Sequence, residues 1–253
     1  MEQHEHQSAD GNGGRWDWLR GFAAVVTEPR QVLPLLGKQA GRVFVAALLM
    51  LTAVSVLTNW LYFRSVPIRQ QFEQLAQQQL ERYLERHPEL SPEQQATLRQ
   101  QLQQGMRFSL PRSLLGGVFS NTIALLSLAG LLWLVQPLVG VRWSALRFAV
   151  LVTALGYTSL WGAVGEIVAA ALQVLGHSLQ VQPSLAAFVV PEEQPVLFSV
   201  LSRIHLGALL QFGLLGTLLA RAAEMALWRG MLWSAAAWGL WLGALYGMGV
   251  LVR

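Results

Sequence analysis

Long apolar runs constrain this chain more than any other feature. Runs of about twenty residues or more cover 43–63, 114–136, 148–176, 197–220 and 230–252. A helix needs about 20 such residues to cross the roughly 30 Å hydrocarbon core of a bilayer. A lipid-exposed span must also satisfy its own backbone hydrogen bonds, which a helix does. The sequence therefore predicts an all-α integral membrane protein with five transmembrane helices.

Composition narrows the functional classes. Charged residues make up 13% of the 253 residues and hydrophobic residues 53%, against about 25% charged in a typical soluble protein. The absence of cysteine excludes disulfides, thiolate metal sites and a cysteine nucleophile. The sequence also lacks the short motifs of zinc proteases, serine hydrolases and P-loop ATPases. We therefore expect no enzyme activity and no cofactor.

Two polar or amphipathic segments precede the first run. Residues 1–14 carry nothing to bury and are predicted to be a disordered tail; two histidines there fall short of the three or four fixed ligands of a metal site. Residues 15–42 place apolar side chains at helical spacing and are interrupted before Pro29. This pattern predicts short interfacial helices, with Trp16, Trp18 and Arg20 as interfacial anchors.

Residues 64–112 form a hydrophilic insert between the first and second spans. A helical pattern ends at Pro88, and a second helix is predicted from Ser91, where Pro92 and Gln94 complete a capping box. The insert is therefore predicted to be a helical hairpin outside the bilayer. Each helix has only a narrow apolar stripe. The two stripes either face each other or dock a partner.

Residues 113–253 are predicted to form a four-span bundle. The distribution of Lys and Arg predicts how the chain is oriented across the membrane. The loop after the third run, around 177–196, carries none. The insert holds seven arginines on the opposite side from the N-terminus. By the positive-inside rule the N-terminus is cytoplasmic, and the insert and C-terminus lie outside. The supporting cations precede the first run and follow the second and fourth: Arg15, Arg20, Arg30, Lys38 and Arg42; Arg142 and Arg147; Arg221 and Arg229.

Glu166 is the only carboxylate well inside an apolar run. A charged group near the bilayer centre costs about 2.5–3.5 kcal/mol on insertion scales, so it faces a partner, a cavity or water. Arg203 and His205 open the fourth run at similar depth, and only one of them can face Glu166 because they lie about 200° apart on a helix. Arg203 is the preferred partner, since a guanidinium binds a carboxylate bidentately. The pair is either a structural salt bridge or a proton or substrate site.

The last run carries a ridge of glycines at every fourth position: Gly239, Gly243 and Gly247. Small residues at this spacing allow two helix backbones to approach closely. The partner is either another span of the same chain or a second copy. The tryptophans of this segment suit interfacial anchoring or lipid contact: Trp228, Trp233, Trp238 and Trp241.

Several of these segments resemble the Yip (Ypt-interacting protein) domain family of five-span membrane proteins. The resemblance covers most of residues 20–250 and rests on Gly156-Tyr157 in the third run and on segments 28–32, 90–94 and 202–217. Two positions depart from the family pattern: Trp161 stands where a proline often follows Gly-Tyr, and His205 stands where an acidic residue is common. The resemblance implies a cytoplasmic N-terminus and a non-catalytic role.

Eukaryotic members of that family engage Rab-type GTPases, whereas prokaryotic members look like accessory subunits of membrane assemblies, some linked to ABC-type exporters. High Arg and Gln content, absent cysteine and short loops favour a prokaryotic inner membrane. We therefore expect a structural, scaffolding or regulatory accessory subunit. Its expected partners are the lipid bilayer, a membrane protein such as an ABC-type transporter bound through 64–112 or the spans, and a second copy of the chain. No arginine cluster is dense enough to follow a nucleic acid. The alternative is a small transporter or channel subunit using Glu166 with Arg203.

Overall fold

The computed structural model describes residues 17–105, 108–142, 146–181, 183–191 and 193–251. These residues are helical throughout, apart from turns, short 3-10 segments and one isolated bridge, so the predicted all-α class is confirmed. The predicted disordered tail, 1–14, lies outside the described residues. The α-helices in chain order are α1 Asp17–Thr27, α2 Pro29–Val32, α3 Ala40–Arg64, α4 Val66–Arg86, α5 Pro92–Gly105, α6 Leu110–Val135, α7 Phe148–Leu175, α8 Pro195–Leu201, α9 Leu206–Ala222 and α10 Leu227–Leu251.

Among the described residues, three helices are long and apolar enough to cross a membrane: α3, α6 with its 3-10 extension to Val139, and α7. Large apolar side chains on α6 stand open, Leu115 with 73% of its surface exposed and Phe119 with 70%. Apolar surface of this extent suits a lipid or protein environment rather than water. Helix α7 is the most buried of the three, at 56% of its apolar window against 22% for α3 and 39% for α6.

Helix α4 ends and helix α5 begins where the sequence predicts. Helix α4 stops at Arg86, before the His-Pro pair. The capping box at the start of α5 is present: the Ser91 N–H donates to Gln94 Oε1 at 2.9 Å, and the Gln94 N–H donates to Ser91 Oγ at 3.3 Å. Within α4, Ile68 alone is buried. The helix pair is therefore locally well specified but builds almost no core of its own.

The predicted span over 197–220 is not one continuous helix. Helix α8 ends at Leu201 and α9 starts at Leu206. Between them the Ile204 carbonyl accepts the backbone N–H of Leu185 at 3.2 Å. His205 Nδ1 then accepts the N–H of Ala208 at 3.3 Å and so caps α9. Backbone groups that a continuous helix would use internally are thus bound by the preceding loop and by this cap, and α9 is left with 17 residues.

The described chain divides into two compact units, of which unit 1 comprises Met1–Leu48, Ala124–Leu160 and Gln211–Trp241. Its centre is the first half of α7, where every residue of 151–159 is buried. Gly156 lets this half approach α3: a Cβ there would lie 2.8 Å from Val43 Cγ1 and 3.7 Å from the Ala47 methyl group. The small residue therefore sets the distance between α3 and α7 in this unit.

Helices α9 and α10 also meet through glycine in unit 1. A Cβ at Gly216 would lie 2.9 Å from Met231 Cα, and one at Gly230 would lie 2.6 Å from the Ala220 methyl group. Trp233 is fully buried beside this crossing, and its Nε1–H donates to the Leu132 carbonyl at 2.7 Å. The expectation that Trp233 contacts lipid is therefore wrong: its ring fills the interior, and its polar nitrogen finds a backbone acceptor there.

Unit 2 comprises Leu49–Ile123, Trp161–Leu210 and Leu242–Arg253. A hydrogen-bonded network ties the start of α4 to the end of α7. Gln71 accepts the Leu179 N–H at 3.0 Å and donates to the His177 carbonyl at 2.8 Å. Gln173 donates to the Leu179 carbonyl at 2.9 Å and accepts the Tyr62 hydroxyl. The base of the α4–α5 pair is therefore fixed to the turn that follows α7.

Candidate functional site

Glu166 lies on the second half of α7, in unit 2, and lines an open cavity of about 410 Å³. The carboxylate makes no hydrogen bond or ion pair with any residue that the structure describes. Most of the lining is small or polar: Ser55, Thr58, Asn59, Phe63, Gly105, Ser109, Arg112, Ser113, Gly116, Gly117 and Ser120. A carboxylate within an apolar helix thus faces a hydroxyl-rich space, one of the environments expected for a charged group in a membrane.

Small residues on α3 and α6 create this space while holding the two helices together. Gly117 packs against α3, where a Cβ would lie 3.2 Å from the Thr52 methyl group. The Asn121 side-chain amide donates to Ser55 Oγ at 3.4 Å. Thr58 adds a buried hydroxyl without a hydrogen-bond partner among the described residues. A buried polar atom of this kind calls for water or a ligand group, which is consistent with a hydrated cavity.

Arg203 does not form the predicted salt bridge with Glu166 in this structure. No nitrogen of its side chain lies within 4.0 Å of the carboxylate, although its charge acts on both Glu166 and His205. Arg203 instead lines a second cavity. The cation that lines the same cavity as Glu166 is Arg112, at the start of α6.

His205 is buried and serves the backbone. In addition to capping α9, it forms an isolated bridge with Ser184. Its ring lies against α7: a Cβ at Gly165 would stand 2.6 Å from His205 Nδ1 and 2.6 Å from Gly207 Cα. His205, one of the two residues proposed to face Glu166, therefore contacts α7 at Gly165, the residue before Glu166.

The glycine ridge of α10 meets no neighbouring helix within the described residues. A Cβ at Gly239, Gly243 or Gly247 would find no atom within 4 Å. Close approaches occur instead at Gly165 with Gly207 and at Gly216 with Met231. Contact of the ridge with a second copy stays a prediction, because the structure holds one chain.

The predicted interfacial anchors are only partly described. Trp16 and the side chain of Trp18 lie outside the described residues, and Arg20 is exposed. The rest of α1 packs in unit 1 on Tyr157, whose ring meets Phe22 edge-on at 5.1 Å. Gly21 allows this contact, since a Cβ there would lie 2.5 Å from the tyrosine ring. Helix α1 therefore rests on the protein along one face.

Sequence reasoning missed the polar face that surrounds Glu166. Ser55, Thr58 and Asn59 stand at i, i+3 and i+4 within the first apolar run, the spacing of one helical face. Ser109 and Ser113 repeat the i, i+4 spacing at the start of α6. This spacing is the signal in the sequence that indicates the polar face. Arg112, the cation in the lining of this cavity, falls at the end of the hydrophilic insert predicted over 64–112, outside the apolar runs.

Comparison with known proteins finds no matching family model, no matching curated protein and no matching solved structure.

Proposed function

We propose that the chain is a five-span, non-catalytic protein of a prokaryotic inner membrane and acts as an accessory or scaffolding subunit of a membrane assembly. One observation carries the proposal: the α4–α5 pair is fixed at its base through Gln71 yet leaves most of its residues exposed. A polar arm that is anchored but covers no core is suited to docking. The resemblance to the Yip family supports the same role.

In this proposal α9 and α10 are the fourth and fifth spans. Helix α9, at 17 residues, reaches the lower limit of about 17 residues for a transmembrane helix, and α10 has 25. The connection between them would then be cytoplasmic, together with the N-terminus. If α3, α6 and α7 were the only spans, the connection between α9 and α10 would lie outside.

Because the chain has no cysteine, single-cysteine reporters test this topology without background. Glu224→Cys lies between α9 and α10 and distinguishes the two topologies. We expect a membrane-impermeant maleimide to label Gln101→Cys in intact cells but to leave Gln31→Cys and Glu224→Cys unlabelled until the cells are broken. Labelling of Glu224→Cys in intact cells would remove α9 and α10 from the list of spans.

Site-specific photo-crosslinking in native membranes tests the accessory role. A photoreactive residue is placed at Gln100 or Gln101 on α5, both exposed, and at Leu115, exposed on the proposed span α6, as the matched control. We expect one discrete protein adduct from the α5 positions and none from Leu115. A variant with residues 66–105 replaced by a short linker should lose that partner on purification. If the adduct is missing and the linker variant keeps the same companions, the docking role is wrong.

The cavity at Glu166 favours a second candidate, a transporter or channel subunit. A carboxylate without an ion-pair partner in a hydroxyl-lined cavity suits passage of a cation or proton better than a structural salt bridge does. Arg203 does not pair with it, so the residue that would share the site is Arg112.

Ion flux into proteoliposomes tests this candidate. Glu166→Gln should abolish cation uptake, Glu166→Asp should retain part of it, and Glu28→Gln, on the exposed N-terminal segment, should leave it unchanged. Wild-type protein without flux, or flux that survives Glu166→Gln, would eliminate this function. The accessory proposal is tested separately by the crosslinks.

A further inference from the structure

Unit 2 contains a second cavity, of about 530 Å³, whose lining is strongly basic. Three arginines line it: Arg82 and Arg86 from α4, and Arg203 from the segment after α8. The described residues of the lining include no acidic side chain. Its volume falls within the roughly 300–1,000 Å³ of small-molecule sites.

The arginines are suited to binding an anion. Arg203 makes no hydrogen bond or ion pair with a described residue. Arg82 and Arg86 do engage other groups, but a guanidinium has five N–H donors, so one interaction does not exhaust it. Gln79, Tyr83 and Ser199 add polar groups to the same lining. Phosphate and carboxylate groups match the planar donor pattern of arginine.

The lining also has apolar residues. Val196 and Val200 of α8 and Leu245 of α10 contribute them. Leu245 and Gly249 lie in the last two turns of α10, the level at which a spanning helix meets lipid headgroups. A basic pocket that also has apolar lining and lies at a helix end fits the headgroup and first carbons of an anionic lipid.

We propose that this cavity binds an anionic phospholipid, with its phosphate held by Arg86 and Arg203 and its acyl chains against Val200 and Leu245. The site uses the α4 arm, α8 and α10, so an occupied site would link the arm to the two segments beneath it. The proposal rests on α10 being a span, as proposed above, but not on the accessory role or on Glu166.

Binding of short-chain lipids to the full chain in a non-ionic detergent tests this site by calorimetry. Dihexanoyl phosphatidylglycerol is the probe, dihexanoyl phosphatidylcholine has the same chains without net charge, and inorganic phosphate has no chains. We expect phosphatidylglycerol to bind at least about tenfold more tightly than either control. The choline cation of phosphatidylcholine is repelled by the arginines of the lining, and inorganic phosphate has no acyl chains to bury against the apolar residues. Added salt should weaken it.

Two variants locate the site. Ser199→Glu places a negative charge at an exposed position of the lining, and Arg203→Gln removes a cation. Each should weaken phosphatidylglycerol binding by about tenfold, while Arg99→Gln, exposed on α5 and outside the lining, should not. Unchanged thermal midpoints without lipid show that the variants are folded. Wild-type affinity in Ser199→Glu, or equal binding of phosphatidylcholine, would overturn the proposal, and equal binding of phosphate would overturn the assignment to a lipid.

Discussion

The two halves of helix α7 place their polar side chains in different environments. In unit 1 its first half is buried over 151–159, and two of its hydroxyls bind the helix's own backbone: Thr153 donates to the Ala149 carbonyl at 2.6 Å and Ser159 to the Gly156 carbonyl at 2.6 Å. The buried Tyr157 hydroxyl of this half has no partner among the described residues. In unit 2 its second half presents Glu166 to a cavity without a hydrogen bond to a described residue. The first half is thus packed against other helices, and the second lines an open cavity.

The difference extends to the rest of each unit. Unit 1 is held by glycine-mediated backbone approaches and by a buried tryptophan. Unit 2 contains both cavities described above, at Glu166 and at Arg203. The close helix packing described for unit 1 and the open cavities described for unit 2 therefore lie in different parts of the chain.

The largest expected effect is at the α9–α10 crossing of unit 1. Gly216→Leu places a side chain against the backbone of α10, which cannot move aside as a side chain can. We expect a loss of about 3 kcal/mol or more, seen as loss of monodisperse protein or a strongly lowered thermal midpoint. Gly243→Leu, with nothing within 4 Å, is the control. Equal behaviour of the two variants would show that unit 1 is not closed as described.

Substitution of Trp233 tests the packing of unit 1 with a smaller expected loss of stability. Trp233→Phe keeps most of the buried ring but removes the N–H that satisfies the Leu132 carbonyl. An unsatisfied buried polar group costs about 1–3 kcal/mol, so the thermal midpoint should fall. Trp228→Phe, at a residue with 62% of its surface exposed, should leave the midpoint unchanged. No difference between the two would remove Trp233 from the core.

Substitution of Gln71 tests whether unit 2, which contains the two cavities, also contains rigidly held segments. Gln71→Leu removes two hydrogen bonds to the turn after α7, each worth about 0.5–1.5 kcal/mol. We expect faster hydrogen exchange confined to α4 and to residues 176–181, with a smaller fall in the thermal midpoint than for Gly216→Leu. Gln100→Leu on exposed α5 is the control. Uniformly faster exchange across the protein would contradict the local role.

The smallest effect is expected at the tip of the α4–α5 pair. A backbone hydrogen bond of Glu89 and a hydrogen bond with His87 lower the pKa of the Glu89 carboxyl from 4.5. The ionised carboxylate therefore stabilises the folded form above its unfolded pKa, and this contribution is lost as the pH falls through the lowered value. Glu89→Gln should lower the thermal midpoint slightly at neutral pH. It should have no effect at a pH low enough for the Glu89 carboxyl to be protonated in both the folded and the unfolded protein. A difference that persists in acid would exclude this titration as its cause.

Much of the local structure could be predicted from the sequence. The capping box at Ser91, the end of α4 before Pro88 and the break before Pro29 depend on a few neighbouring residues, and each is present in the structure. The break between α8 and α9 could not be predicted in this way. It depends on a backbone hydrogen bond from Leu185 to Ile204, and no hydropathy pattern within 197–220 contains that partner.

The candidate site shows the same division. The sequence by itself determined that Glu166 is a carboxylate inside an apolar helix, because that depends only on its neighbours in the chain. It also determined that the α10 glycines could permit a close approach. Only the tertiary structure decided what each of them meets: Arg203 lines another cavity, a hydroxyl-lined space surrounds Glu166, and the close approaches use Gly207 and Gly216. The physical reason is that contacts between helices depend on the rotation and offset of both partners, and a pattern within one helix records only its own face.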